Sequence, residues 1–123
     1  MRSRVAVIED DPAIGKMLDR FLRMEGFDAT VIKDGRSASG ALASGRFDAA
    51  ILDVTLPGKD GITILRELRD ASATKELPVV ILSAKSDQKT TWEGWRAGAS
   101  YVMPKPFSPD ELIRVLRSAI HSR

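Results

Sequence analysis

Short apolar runs alternate along this chain with stretches of helical periodicity, and that alternation leaves little choice of architecture. Val5-Ala6-Val7-Ile8, Ala49-Ala50-Ile51-Leu52 and Pro78-Val79-Val80-Ile81-Leu82 carry no polar side chain. A strand with one wet face alternates polar and apolar residues; a strand covered on both faces reads as a continuous apolar run, as in a parallel sheet between two helical layers. Five strand–helix pairs can be counted. The expected class is therefore α/β, a doubly wound (βα)5 domain with a central five-stranded parallel sheet flanked by five helices.

Local signals place the elements. The first helix is expected from Pro12, a residue favoured at the first helical position, with Ile14, Leu18, Phe21 and Leu22 on one stripe and Gly26 as its stop. The second strand, Ala29 to Ile32, is weaker and suits a sheet edge. A short helix over Gly35 to Ser44 ends at Gly45, and a third begins near Gly61, after the turn Leu56-Pro57-Gly58. A fourth helix carries Trp92 and Trp95 and stops at Gly98, and Tyr101-Val102-Met103 forms the fifth strand. The last helix has Ser108 as N-cap, Pro109 at its first position and Glu111 in place for a capping box, with Leu112, Val115, Leu116, Ala119 and Ile120 as its apolar stripe.

Composition narrows the function. A chain of 123 residues suits one domain that buries about two thirds of its unfolded surface. The absence of cysteine excludes disulfides and thiolate metal sites and is compatible with a reducing cytosol. No apolar stretch approaches the roughly 20 residues of a membrane span, and Met1-Arg2-Ser3-Arg4 leads into a strand, not a signal-peptide apolar region. Nineteen basic and 17 acidic residues leave only +2, too small an excess for a surface that grips nucleic acid. The expectation is a cytoplasmic protein with neither a membrane nor a direct nucleic-acid partner.

Chemistry gathers where the strands end. The first runs into Glu9-Asp10-Asp11, the third into Asp53 and the fourth into Ser83, so polar groups collect at the carboxyl edge of the sheet, where open α/β sheets bind ligands. Asp11 before Pro12 reads as an N-cap. Glu9 and Asp10 have no such explanation, and their mutual repulsion calls for a counter-charge; Mg²⁺ suits carboxylate oxygens. Asp53 by itself reads equally as a turn residue before Pro57-Gly58. With strands one and three adjacent, it joins Glu9 and Asp10, and a metal-bound aspartate can act as a nucleophile that forms an aspartyl-phosphate. Phosphoryl transfer needs donors and positive charge around three oxygens, which Ser83 and Lys105 can supply.

Val7-Ile8-Glu9-Asp10-Asp11-Pro12, Ile51-Leu52-Asp53-Val54-Thr55-Leu56-Pro57-Gly58-Lys59-Asp60-Gly61, Leu82-Ser83-Ala84, and Ala97-Gly98-Ala99 through Lys105-Pro106-Phe107 together resemble, in order and spacing, the receiver domain of two-component response regulators. The resemblance covers essentially the whole chain and implies a flavodoxin-like receiver fold with strand order 2-1-3-4-5, residues 1–123 forming one receiver domain without an output domain. It implies that Asp53 accepts a phosphoryl group from a phosphohistidine of a sensor histidine kinase or histidine phosphotransfer protein. Asp10 and Asp53 would bind Mg²⁺, with Glu9 acting through water and the Thr55 main-chain carbonyl as a further ligand. Lys105 would pair with the phosphoryl group and Ser83 hydrogen-bond it, shifting the face of helix four, strand five and helix five for protein–protein output. Such a protein is a switch, catalysing only its own phosphorylation and dephosphorylation. A cis peptide is expected between Lys105 and Pro106.

Two departures from the family stand out. Val102 occupies the place of the usual Tyr or Phe, and Tyr101 precedes it, on the opposite face of a strand. Ser100 and Tyr101 stand where winged-helix regulators carry two acids, which argues against their dimer and for a stand-alone receiver; the alternative is the isolated receiver of a longer DNA-binding regulator. Trp92 and Trp95 fall at positions usually aliphatic and inward, so core packing is expected, with a partner anchor as the other possibility. Arg114, Arg117 and Arg123 suit the last helix's C-terminal dipole. A haloacid-dehalogenase-type phosphatase also uses a strand-end Asp and Mg²⁺ but wants a second Asp two residues later, where Thr55 stands.

Overall fold

The computed structural model describes residues 2–54, 60–84 and 88–122. Its elements follow strictly in alternation: β1 (Arg4–Ile8), α1 (Pro12–Met24), β2 (Asp28–Ile32), α2 (Gly35–Ser44), β3 (Ala49–Asp53), α3 (Gly61–Asp70), β4 (Val79–Ala84), α4 (Gln88–Ala97), β5 (Tyr101–Lys105) and α5 (Pro109–His121). All pairings are parallel, in the order β2-β1-β3-β4-β5. The weak second strand is indeed an edge.

Two strands run longer than their apolar cores. β4 continues through Ser83 to Ala84, and β5 through Pro104 to Lys105. Pro104 is tolerated because β5 is an edge strand, where a missing N–H breaks no ladder on the open side.

Alternation along the strands sorts the core into two layers. Ala6, Ile8, Ala50, Leu52, Val79, Ile81 and Val102 face Leu42 of α2 and Ile64, Leu65 and Leu68 of α3. Val5, Val7, Ala49, Ile51, Val80, Leu82 and Met103 face Leu18 and Leu22 of α1 and Leu112, Ile113 and Leu116 of α5. Each central strand thus buries side chains on both faces, which is why its sequence shows no polar alternation.

Helix ends follow their local chemistry. Asp11 Oδ1 accepts from the Ala13 and Ile14 amides at 2.9 and 3.4 Å, starting α1 at Pro12. Gly26, just past the end of α1, sits at φ +90°, a conformation that favours glycine. Gly45 caps α2 differently: its φ is −84°, and what excludes a side chain there is the Phe47 ring, 2.5 Å from the place of a Cβ. Ser108 Oγ accepts from the Glu111 amide at 3.4 Å, a long but recognisable N-cap. Tyr101 is exposed and Val102 buried, as the strand's two-residue period requires.

The tryptophans depart from expectation. Trp92 is 59% and Trp95 47% exposed, so neither belongs to the core. The reason lies in how α4 is seated: its single fully buried residue is Gly94, and with backbone rather than a large side chain against the sheet the neighbouring indoles are left outside. The turn at 56–58 and Arg123 lie outside the described residues.

Candidate functional site

Four strand ends converge. Ile8 lies beside Leu52 in the β1–β3 register, so the next residues, Glu9 just past β1 and Asp53 at the end of β3, stand side by side. Ala84 pairs with Lys105 across β4 and β5, placing Ser83 and the lysine on the far side of Asp53. Lys105 Nζ donates to Asp53 Oδ2 at 2.8 Å, an ion pair whose carboxylate is buried. The Lys105-Pro106 peptide is cis.

Glu9 is the anomalous member. It is only 2% exposed; Oε2 accepts from the Asp11 amide at 3.3 Å, while Oε1 is buried with no hydrogen-bond partner among the described residues. Burial pushes its carboxyl up from 4.5 to about 7, helped by a shared hydrogen bond with Asp53 and by that residue's charge, and opposed by the Asp11 amide and Lys105. Among the described residues, two buried carboxyls thus face each other and one ammonium, that of Lys105, is paired with them.

Asp10 differs from its neighbours. It is exposed, and its carboxylate makes no hydrogen bond or ion pair with a described residue. Among the described residues no group of three or more His, Cys, Asp or Glu is gathered closely enough to hold a metal ion. Among the described residues the expected convergence is thus partial: Glu9 and Asp53 meet, Asp10 borders them, and Lys105 supplies a counter-charge. The oxygen donors still suit a hard cation, because among the described residues Glu9 Oε1 has no hydrogen-bond donor and the Asp10 carboxylate no partner. Thr55, expected to add a carbonyl ligand, lies outside the described residues.

Ser83 is buried at 2% exposure, and among the described residues its hydroxyl approaches only the Ala84 carbonyl, at 3.5 Å. That is long for an O–H···O bond, so the hydroxyl is nearly uncommitted.

Gly61 is a shaping residue that the sequence reading treated only as a helix start. Its amide donates to the Val54 carbonyl at 3.0 Å, and a Cβ there would lie 2.7 Å from the Asp53 carbonyl oxygen. Asp60 caps α3 through the Thr63 amide at 2.9 Å. The Asp-Gly pair was the available signal, a turn dipeptide directly before a helical stretch.

The family model of the response regulator receiver domain matches residues 5–117. The chain belongs to this family. Among curated relatives, the DNA-binding response regulator MtrA of Mycolicibacterium smegmatis is 42% identical over 120 residues, 98% of this chain and 51% of that protein. The transcriptional regulatory protein RprY of Bacteroides fragilis is 36% identical over 109 residues, 89% of this chain and 45% of its own length. This receiver thus spans about half the length of the curated relatives it matches. Among solved structures, a response regulator from Chloroflexus aurantiacus superposes with a TM-score of 0.93 at 31% identity, covering 98% of this chain and 99% of the other. The receiver domain of a sensor histidine kinase from Pseudomonas aeruginosa, described with a magnesium ion coordinated in its active site cleft, superposes at 0.90 with 29% identity, covering 98% and 99%.

Receivers are signalling proteins of two-component systems, not classical enzymes. Membership leaves the phosphatase alternative without support. Among the described residues no helix is long and apolar enough to cross a membrane.

Proposed function

We propose that this receiver is a phosphoacceptor switch in which Asp53 takes a phosphoryl group from a phosphohistidine of a sensor histidine kinase or histidine phosphotransfer protein. The observation that carries the reading is the buried Asp53 carboxylate at a strand end, 2.8 Å from Lys105 Nζ and facing Glu9. One Asp53 oxygen attacks phosphorus, the P–N bond breaks, and the imidazole leaves with its electron pair. The product is an acyl phosphate. Lys105, already at Asp53 Oδ2, is within reach of an oxygen of the incoming group and offsets its charge. The Ser83 hydroxyl, nearly uncommitted, can donate to a second oxygen.

Asp10 and Asp53 would hold Mg²⁺, with Glu9 through water and the Thr55 carbonyl as a further ligand. The ion supplies positive charge to the phosphoryl oxygens. The phosphoryl group adds roughly −1.5 to −2 charge and favours whichever conformer gives it better contacts at Ser83 and Lys105. That shift is read by protein contacts on the surface of α4, β5 and α5, in the cytoplasm. The same chemistry limits the protein to its own phosphorylation and dephosphorylation.

A second reading concerns context. The relatives named DNA-binding regulators are about twice as long as this chain, which favours work as the receiver part of such a regulator; Ser100 and Tyr101 in place of paired acids favour the stand-alone reading. The length of the native protein on an immunoblot separates them.

Intact mass after acetyl phosphate and Mg²⁺ tests the acceptor. The wild type should gain one labile phosphoryl group and Asp53→Asn none. No adduct on the wild type, or an equal adduct on the variant, refutes the assignment.

A further inference from the structure

Away from Asp53, α3 and α4 form a groove of about 260 Å³ lined by Arg66, Trp92, Glu93, Arg96 and Ala97. Trp92 is exposed, and the Arg96 guanidinium lies 4.7 Å from its ring centre. Arg66 is exposed on the α3 wall, and neither arginine forms an ion pair with a described residue. One turn along α4, Trp95 meets Tyr101 edge to face, ring centres 5.7 Å apart, so the aromatic surface continues onto β5. Tryptophan, tyrosine and arginine dominate the binding energy of protein interfaces, because they combine large apolar area with directional donors.

We propose that this groove binds an acidic amphipathic segment of a partner protein, an apolar side chain resting on Trp92 and carboxylates meeting Arg66 and Arg96. Charge complementarity selects this occupant. Two guanidiniums without an ion pair among the described residues call for anions, and Arg96, stacked on the Trp92 indole, is preset for a carboxylate. Glu93 in the same groove opposes a nucleic acid, which brings a phosphate with every nucleotide, whereas a peptide can set a backbone N–H or a lysine against it. A second copy fits less well, since an isologous contact would gather both copies' Arg66 and Arg96 against only the two Glu93 carboxylates, an excess of like charge. The groove is present while Asp53 is paired with Lys105, so the proposal does not rest on the phosphoacceptor reading.

A displayed random-peptide library panned on the full chain tests this. Enriched peptides should combine Asp or Glu with Phe, Trp or Leu, bind Arg66→Glu/Arg96→Glu and Trp92→Ser about tenfold more weakly, and lose affinity with added salt. All three substituted side chains are exposed, so urea midpoints should match the wild type; the milder Arg66→Gln/Arg96→Gln serves if they do not, with the same weakening expected. Basic or uncharged motifs, equal binding to the variants, or no enrichment overturns the proposal. So does tighter binding of an oligo-dT strand than of the selected peptides, or self-association that Trp92→Ser abolishes.

Discussion

Replacing Glu9 by Gln should stabilise the metal-free protein, and only at higher pH. Glu9 is buried, and its carboxyl is pushed from 4.5 to about 7 in the folded state. That displacement corresponds to about 3 kcal/mol of penalty on the ionised form, at about 1.4 kcal/mol per tenfold. Below about 4.5 the group is protonated in both folded and unfolded chains and the penalty is absent. Between about 4.5 and 7 the unfolded chain sheds a proton that the folded chain keeps, so stability falls as pH rises, and above about 7 the penalty is complete. Gln is neutral throughout; its carbonyl can accept from the Asp11 amide and its NH₂ can donate to Asp53. The advantage of Glu9→Gln should therefore grow from near zero at about pH 4 to about 2–3 kcal/mol at about pH 8. In urea titrations with EDTA this is a midpoint difference of about 1–2 M at the higher pH. Comparing variant with wild type at each pH cancels the acids that do not interact with Glu9. A gap that is the same at both ends of the range refutes the argument.

Two backbone-level variants probe the frame. Gly61→Ala places a methyl 2.7 Å from the Asp53 carbonyl oxygen and 2.8 Å from the Val54 Cα, both backbone atoms that cannot turn aside; a loss of about 1–3 kcal/mol in urea, with slower labelling by acetyl phosphate, is expected. Arg69 Nε donates to the Gly98 carbonyl at 2.9 Å and Nη1 to those of Thr74 and Lys75 at 3.2 and 3.3 Å, joining the ends of α3 and α4. Arg69→Leu should cost about 2–3 kcal/mol by stranding these acceptors, and an unchanged midpoint would show that water replaces the guanidinium without loss.

What the sequence discloses is governed by the range of the interaction that produces it. β1, β3 and β4 were legible because two-sided burial writes itself as an apolar run, and α1 and α5 because Pro12 and Pro109 follow cap residues. Asp53, Lys105 and Ser83 stood out as polar residues at strand ends, and the topology brings them together. Less legible was anything set by the distance between elements. The meeting of Glu9 with Asp53 was expected from adjacent strands, but the direct ion pair of Asp53 with Lys105, with Asp10 left at the border, depends on side-chain reach between strands. Arg69 shows nothing in sequence to distinguish it from Arg66, yet one holds three carbonyls and the other stands in solvent. The tryptophans misled because size predicts burial only where the helix presents that face to the sheet, and α4 presents Gly94.

That seating of α4 bears on how the site speaks to the outer surface. Val102 pairs with Ile81 in the β4–β5 register, two residues before Ser83, and belongs to the core layer on the α3 side of the sheet. A Cβ at Gly94 would lie 3.1 Å from Val102 Cγ2 and 3.7 Å from Ile62 Cδ1, so the helix backbone already occupies the space a longer side chain at 102 would need. A valine has no ring to swing, and its branched Cβ keeps it to few rotamers. On the switch proposed above, a displacement at Ser83 would reach the exposed indoles by moving α4 at its contact between Gly94 and Val102. Val102→Tyr should force the helix outward, costing about 1–3 kcal/mol in urea and shifting the emission of Trp92 and Trp95, both carried on α4. If the variant keeps the wild-type midpoint and emission, there is room for a ring beside Gly94, and the close seating of α4 is not what replaces the aromatic.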